Sequence, residues 1–185
     1  MTRIVSGVAG GRALVVPSAG TRPTSDRVRE ALFSRLEHRG LLDDVAVLDL
    51  YAGSGALGLE AASRGARSVV LVDHAKAAVA ACRRNVTTLG LPGVDVVPER
   101  ALPYLQRRRP TTDLDLVFLD PPYDLSDDDL TLVLAALVPH LHPDAVVVVE
   151  RSVRSGEPHW PAGEAPLHRE DERRYGETVL WFASP

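Results

Sequence analysis

Four consecutive residues, Asp120-Pro121-Pro122-Tyr123, carry the most specific chemistry in the chain. Proline has no N–H, and the residue before a proline is pushed out of the helical region, so the segment is extended, stiff and rich in free acceptors. The Asp120 carboxylate and the Pro121 carbonyl can each accept one hydrogen of an aromatic NH2 group. Gripped twice, that nitrogen turns its lone pair out of conjugation with the ring and toward an electrophilic methyl. Methyl transfer from a sulfonium needs positioning more than a strong base, because positive charge disperses during transfer and the proton leaves afterward. Tyr123 can lie flat against an extruded base, and such stacking is worth about 1–3 kcal/mol. Asp120 or Tyr123 alone would read as structural. The four together, closing an apolar run, read as a site with Pro122 stiffening the link to the ring.

A second element runs Val47-Leu48-Asp49-Leu50-Tyr51-Ala52-Gly53-Ser54-Gly55-Ala56-Leu57-Gly58, a strand entering a glycine loop and then a helix. Gly53, Gly55 and Gly58 satisfy the dinucleotide fingerprint literally. Two features argue against a pyrophosphate ligand. Several residues, one of them an acid, separate strand from glycine, and Asp49 would set a negative charge where pyrophosphate should lie on the helix N-terminus. A ligand with a cationic amino group and a sulfonium instead welcomes that acid, directly or through water. Asp73 closes the next strand, 18 residues after Gly55, where its two oxygens can accept from both hydroxyls of a ribose. That role supports a nucleoside without choosing between the two ligand classes.

These residues need a frame that brings them together. From residue 40 onward, short β-branched runs alternate with longer helical ones, the pattern of a parallel sheet covered on both faces. The strands are expected at Val45–Leu50, Ser68–Asp73, Val94–Pro98, Leu114–Asp120 and Ala145–Glu150, and the helices at Leu57–Arg64, Ala75–Leu89, Ala101–Arg108 and Asp127–Val138. Ser126 with Asp129 forms a capping-box signature at the start of the last helix. After a Pro- and Gly-rich stretch, Leu167–Arg173 and Thr178–Phe182 read as a closing hairpin. The fold class is therefore α/β, a doubly wound, mostly parallel seven-stranded sheet. Ahead of it, Arg3–Ser6 and Ala13–Val16 flank glycines as a small hairpin, and Asp26–His38 puts Val28, Ala31, Leu32 and Leu36 on one helical face. This gives a basic extension over residues 1–39 attached to a sheet domain over 40–185.

Composition bounds the partners. At 185 residues with 45% hydrophobic side chains, the chain suits one compact fold. No apolar run approaches the roughly 18 residues of a membrane span, so a cytoplasmic protein is expected. Cys82 is the only cysteine, which excludes an internal disulfide and a multi-cysteine zinc site, and no metal is expected. Net charge is −4, yet residues 1–39 hold seven arginines against three acids, leaving +4 in front and −8 behind. Arginine forks suit phosphate and stack on bases. Arg3, Arg12, Arg22 and Arg29 are the candidates to meet phosphate, the alternative being a solvated surface with helix ion pairs such as Asp26 with Arg29 or Glu30.

The motifs resemble those of class I S-adenosylmethionine-dependent methyltransferases that act on amino groups. Further blocks narrow the resemblance to the RsmD family of 16S rRNA (guanine-N2)-methyltransferases: Arg3-Ile4-Val5-Ser6-Gly7, Gly11-Arg12, Arg22 through Phe33, and Tyr175-Gly176-Glu177-Thr178. The resemblance spans essentially the whole chain and implies S-adenosylmethionine as cofactor. The implied cofactor contacts are Thr24 at the carboxylate, Asp49, Ala52, Gly53 and Gly55 at the methionine end, Asp73 and His74 at the ribose, and Asp120 at the reacting end. Where the family often has Asp or Asn, this chain has Arg100, leaving backbone groups of Ala101 to serve the adenine. The implied partner is 16S rRNA, within the small ribosomal subunit or its assembly intermediate, met by a monomer. A DNA adenine-N6 methyltransferase would share the tetrapeptide but usually needs a separate recognition region. A protein-glutamine methyltransferase would favour Asn at position 120, and a non-catalytic RNA-binding assembly module would have no use for Asp120 and Tyr123 together.

Overall fold

The computed structural model describes residues 2–17, 25–163 and 166–185. Five strands, β1 (Ala46–Leu50), β2 (Ser68–Val72), β3 (Val94–Val97), β4 (Leu114–Leu119) and β5 (Leu141–Ser152), run parallel. Two more, β6 (His168–Tyr175) and β7 (Thr178–Ser184), close the sheet as an antiparallel hairpin in the order β3-β2-β1-β4-β5-β7-β6. The central strands are apolar along their length because both faces are covered; every residue of β1 is buried. Helices α1 (Asp26–His38), α2 (Ala56–Ser63) and α3 (Lys76–Leu89) contribute Phe33, Leu59 and Cys82 to the core on one face. Helices α4 (Ala101–Arg107) and α5 (Asp127–Leu137) contribute Leu105 and Leu134 to the core on the other. Among the described residues, no helix is long and apolar enough to cross a membrane.

The expected elements are present, with three differences. Strand β5 begins at Leu141, earlier than the expected Ala145, because the ladder to β4 is interrupted: Leu114 pairs with Leu141 and Leu116 with Val146. Pro143, unable to donate, sits in that interruption and breaks the apolar pattern. The front hairpin is shorter than a two-stranded ribbon. It has one bridge, Arg3 to Ala13, reinforced by Ile4 N–H to the Arg12 carbonyl (2.9 Å) and Leu14 N–H to the Thr2 carbonyl (2.9 Å). Third, this front end is not peripheral in its packing. Ile4, Ala9, Leu14, Leu32, Phe33 and Leu36 share one core with Leu71, Phe118 and Phe182 of the sheet, and Phe33 meets Phe118 at 5.6 Å between ring centroids.

Polar contacts pin the same segment to α2. Buried Glu60 accepts from Val5 N–H (2.7 Å) and Ser6 N–H (3.0 Å), while the Ser63 hydroxyl accepts from Ala9 N–H (3.0 Å) and donates to the Ser6 carbonyl (2.6 Å). Gly7 makes this approach possible. It sits at φ +81°, and a Cβ there would lie 1.9 Å from the Ser63 carbonyl oxygen. Gly7→Ala should therefore lower the unfolding free energy by about 2–4 kcal/mol in urea denaturation, from backbone strain plus a displaced hairpin. A loss under about 0.5 kcal/mol would show that the hairpin does not dock on α2.

Candidate active site

The site forms where the strand order reverses. Strand β1 has β2 on one side and β4 on the other, so the connections leaving its C-terminal end and that of β4 diverge and leave a crevice. Leu50 pairs with Leu119, and the Asp120 N–H still reaches the Leu50 carbonyl at 3.5 Å. The glycine loop and the tetrapeptide therefore emerge side by side. Tyr51 turns the chain out of β1 at φ +63°, followed by Gly53 at +59° and Gly55 at +79°. The Ala52 N–H donates to the Val72 carbonyl (3.1 Å) and the Gly55 N–H to the Ala52 carbonyl (2.7 Å), which fixes the loop against the end of β2.

A cleft of about 390 Å³ opens above these strand ends, walled by Tyr51, Asp73, His74, Asp120, Tyr123 and Glu150, with Pro121 and Pro122 on its floor. Asp73 ties the glycine loop to the start of α3: one carboxylate oxygen accepts from Gly53 N–H (2.9 Å) and the other from Ala75 N–H (2.9 Å). A carboxylate has about four acceptor positions, so each oxygen retains capacity toward the cleft. Gly55 packs inward, where a Cβ would meet Leu71 at 2.9 Å. At Gly53 the nearest atom to such a Cβ is the Tyr51 carbonyl oxygen at 4.0 Å, so the space beside this glycine is open although its own N–H and carbonyl are engaged by Asp73 and Cys82. Tyr123 is 77% exposed at the mouth of the cleft, available to a ring rather than committed to the core.

Asp49 lies one layer deeper. It is buried, accepts from Gly58 N–H (2.9 Å), and its carboxyl is raised to about 7. Burial is the main cause, opposed by the Gly58 hydrogen bond and reinforced by the negative charge of Asp73. Cys82 is buried: its thiol donates to the Gly53 carbonyl (3.3 Å), and burial with the nearby Asp49 and Asp73 pushes it up to about 12.

The structure sorts the remaining sequence-predicted residues. Asp73, His74, Asp120, Pro121, Pro122 and Tyr123 gather around one cleft. Asp49, Ala52, Gly53 and Gly55 build the support beneath it, while Arg100, at the N-cap of α4, and Ala101 stand outside its lining. Thr24 and Arg22 lie outside the described residues. Arg29 requires a correction: it is fully buried, not presented to RNA. Its guanidinium donates to Asp26 (2.6 Å) and the Arg3 carbonyl (2.6 Å), and lies 4.0 Å from buried Glu60. Arg12 is exposed but caps α3, donating to the Leu89 carbonyl at 2.9 Å and to the Thr88 carbonyl. Arg3 is solvent-facing, with only a 3.7 Å approach to Asp26.

Among the cleft residues not expected from the sequence are Tyr51 and Glu150. Tyr51 was hidden because nothing local announces a tyrosine in the left-handed region; burial and Asp129 raise its hydroxyl to about 12, so it remains a neutral donor. Glu150 was legible in principle: β2 and β4 each hand over to an acid, Asp73 and Asp120, and Glu150 likewise follows an apolar run, directly after the last β5 residue paired with β4.

Residues 2–184 match the family described as conserved hypothetical protein 95. The chain belongs to that family. It is 40% identical over 169 residues to the ribosomal RNA small subunit methyltransferase D of Escherichia coli strain K12, covering 91% of this chain and 83% of that one. The protein of the same description from Haemophilus influenzae is 35% identical over 151 residues, covering 80% and 77%. Among solved structures, the Escherichia coli protein yhhF, described as a candidate methyltransferase, superposes with a TM-score of 0.84 at 33% identity over 99% of this chain and 97% of that one. This family member thus shares its relatives' fold over nearly its full length, and the tetrapeptide, the glycine loop and Asp73 lie at the point where that fold opens.

A buried carboxyl raised from 3.8 to about 7 favours the folded state when protonated. Its contribution is complete below pH 3.8 and is lost as pH rises to about 7. Asp49→Asn removes that term, so the melting temperature of the variant relative to wild type should rise between pH 5 and pH 8. Parallel melting curves across that range would show that Asp49 is ionised in the folded protein throughout.

Proposed function

We propose that this protein transfers a methyl group from S-adenosylmethionine to the exocyclic N2 amino group of a guanine in 16S rRNA. The observation that carries this reading is the Leu50 to Leu119 register, which sets the Asp120 tetrapeptide beside the glycine loop over one cleft. When bound, S-adenosylmethionine supplies an electrophilic methyl on a sulfonium. The residues present suit it. Asp73 retains acceptor capacity for ribose hydroxyls, Gly53 leaves room for the methionine portion, and the Asp49 carboxyl beneath the loop is poised to ionise beside a cation.

The chain's own contribution to the reaction is positional. Asp120 and the Pro121 carbonyl accept the two amino hydrogens and aim the nitrogen lone pair into the cleft, and the exposed Tyr123 ring stacks on the base. Asp120 then takes up the proton released as the nitrogen gains its methyl. The descriptions of the relatives support ribosomal RNA of the small subunit as the substrate, and we extend this to the small subunit or its assembly intermediate met by a monomer. In this reading residues 1–39 are the RNA-facing extension of a methyltransferase domain over residues 40–185. Arg3 is its free phosphate contact, while Arg12 and Arg29 hold the extension in shape.

The test uses small subunits from a strain lacking the enzyme, labelled cofactor and mass-spectrometric mapping. Wild type should modify one guanine at N2; a label on adenine or on protein would refute the assignment. Asp120→Ala should lose at least about 100-fold in transfer while retaining cofactor binding, since an acceptor that acts in the transition state is removed. Tyr123→Phe should stay active and Tyr123→Ala should not, because the ring face is what stacks; equal losses would point to the hydroxyl. Arg3→Ala should weaken subunit binding and reduce the salt slope by about one, with cofactor affinity unchanged. An unaltered slope would remove Arg3 from the interface.

A further inference from the structure

Glu150 follows the paired residues Leu119 and Val149 directly, as Asp120 does on β4. The two carboxylate residues therefore stand next to each other, Asp120 just past the end of β4 and Glu150 within β5 where its pairing with β4 stops, about 4.8 Å apart in the sheet direction. Both wall the cleft of about 390 Å³ that holds Asp73. Glu150 and Tyr123 also wall a second groove, of about 880 Å³. That groove gathers Ser25 at the start of α1, Ser152, Arg154 and Ser155 after β5, and Tyr175 and Thr178 at the β6–β7 turn. Its hydroxyls can both donate and accept, as sugar and phosphate require, and Arg154 is an exposed cation. Ser25 and Val28 of one block singled out in the sequence, and Tyr175-Gly176-Glu177-Thr178 of another, thus line the same groove. A nucleotide with its backbone in the groove and its base against Tyr123 would pass its edge across Glu150 to reach Asp120.

We propose that Glu150 reads the base: its carboxylate accepts the ring N1–H of guanine while Asp120 holds the neighbouring 2-amino group. This deepens the function proposed above and rests on it. Guanine offers donors at both positions on one edge, so two adjacent carboxylates match it. Adenine carries an acceptor at N1 and meets repulsion from the same pair. A site built from acceptors rejects an analogue lacking the donor far more strongly than an apolar pocket rejects a size change. Glu150 is thus a specificity residue on the substrate side, separate from the cofactor contacts.

The test reconstitutes small subunits with guanine or 2-aminopurine at the nucleotide that the wild-type enzyme modifies. 2-Aminopurine keeps the 2-amino group but has an acceptor at N1, which a carboxylate repels and a carboxamide NH2 can meet. Wild type should favour guanine by about 100-fold in kcat/KM, and Glu150→Gln should narrow that preference by at least about tenfold, losing on guanine and gaining on 2-aminopurine. Cofactor Kd by calorimetry should stay within about twofold and the melting temperature should hold. An unchanged preference in Glu150→Gln would overturn the inference, as would equal loss on both bases with cofactor binding lost alongside. The wild-type arm reports separately on the parent reading: failure to label guanine there would defeat the proposed function itself and this inference with it.

Discussion

The register between β1 and β4 is the constraint on which the rest depends. Two parallel strands paired from Val47 with Leu116 to Leu50 with Leu119 end at the same height, so the loops leaving them share one crevice. Neither loop could build the site alone. The glycine loop offers backbone and an acid beneath it, and the tetrapeptide offers acceptors and a ring; only their juxtaposition places an amine opposite a methyl donor. Because β1 is buried along its length and β4 nearly so, slipping the register would exchange side chains between two packed faces and force both cores to repack. Core packing thereby protects the geometry of the site.

The front end illustrates how charge is used structurally. Arg29, Glu60 and Arg64 form a chain of guanidinium and carboxylate groups between α1 and α2, with Arg64 bonded to Glu60 at 2.8 Å and to Glu37 at 3.0 Å. Buried charges of this kind stabilise little on balance, but removing one partner strands the others at a cost of about 3–5 kcal/mol. They fix where the hairpin sits relative to α2, and through α2 relative to the glycine loop that begins it. On the far side, Arg35 reaches Asp171 on β6 at 2.5 Å and lies over Phe182, so α1 also braces the closing hairpin. The basic excess of residues 1–39 is in this way partly spent on internal contacts before any reaches a partner.

Much of this was legible in the sequence because periodicity and punctuation agree. The α/β alternation and the boundaries of α1 follow from apolar runs bounded by caps: Ser25 accepts from Val28 N–H and Ser126 from Asp129 N–H. The tetrapeptide and Asp73 were legible because their backbone and acceptor chemistry is local. What escaped depends on contacts distant in sequence. Nothing near Arg29 reveals that Glu60, thirty-one residues on, is its buried neighbour. The Pro143 interruption of β5 hid the true start of that strand, and the left-handed Tyr51 follows from the tightness of the β1 exit, not from a propensity. Glu150 shows the intermediate case: the acid after an apolar run was visible, but its partnership with Asp120 required the register.

The central claim is spatial and can be tested by crystallography of the protein with S-adenosylhomocysteine. The account predicts electron density for the ligand in the cleft between Asp73 and Asp120, with the ribose hydroxyls on the Asp73 carboxylate and the sulfur facing the tetrapeptide. Density lodged elsewhere, or a ligand whose sulfur points away from Asp120, would contradict the arrangement on which the proposed transfer depends.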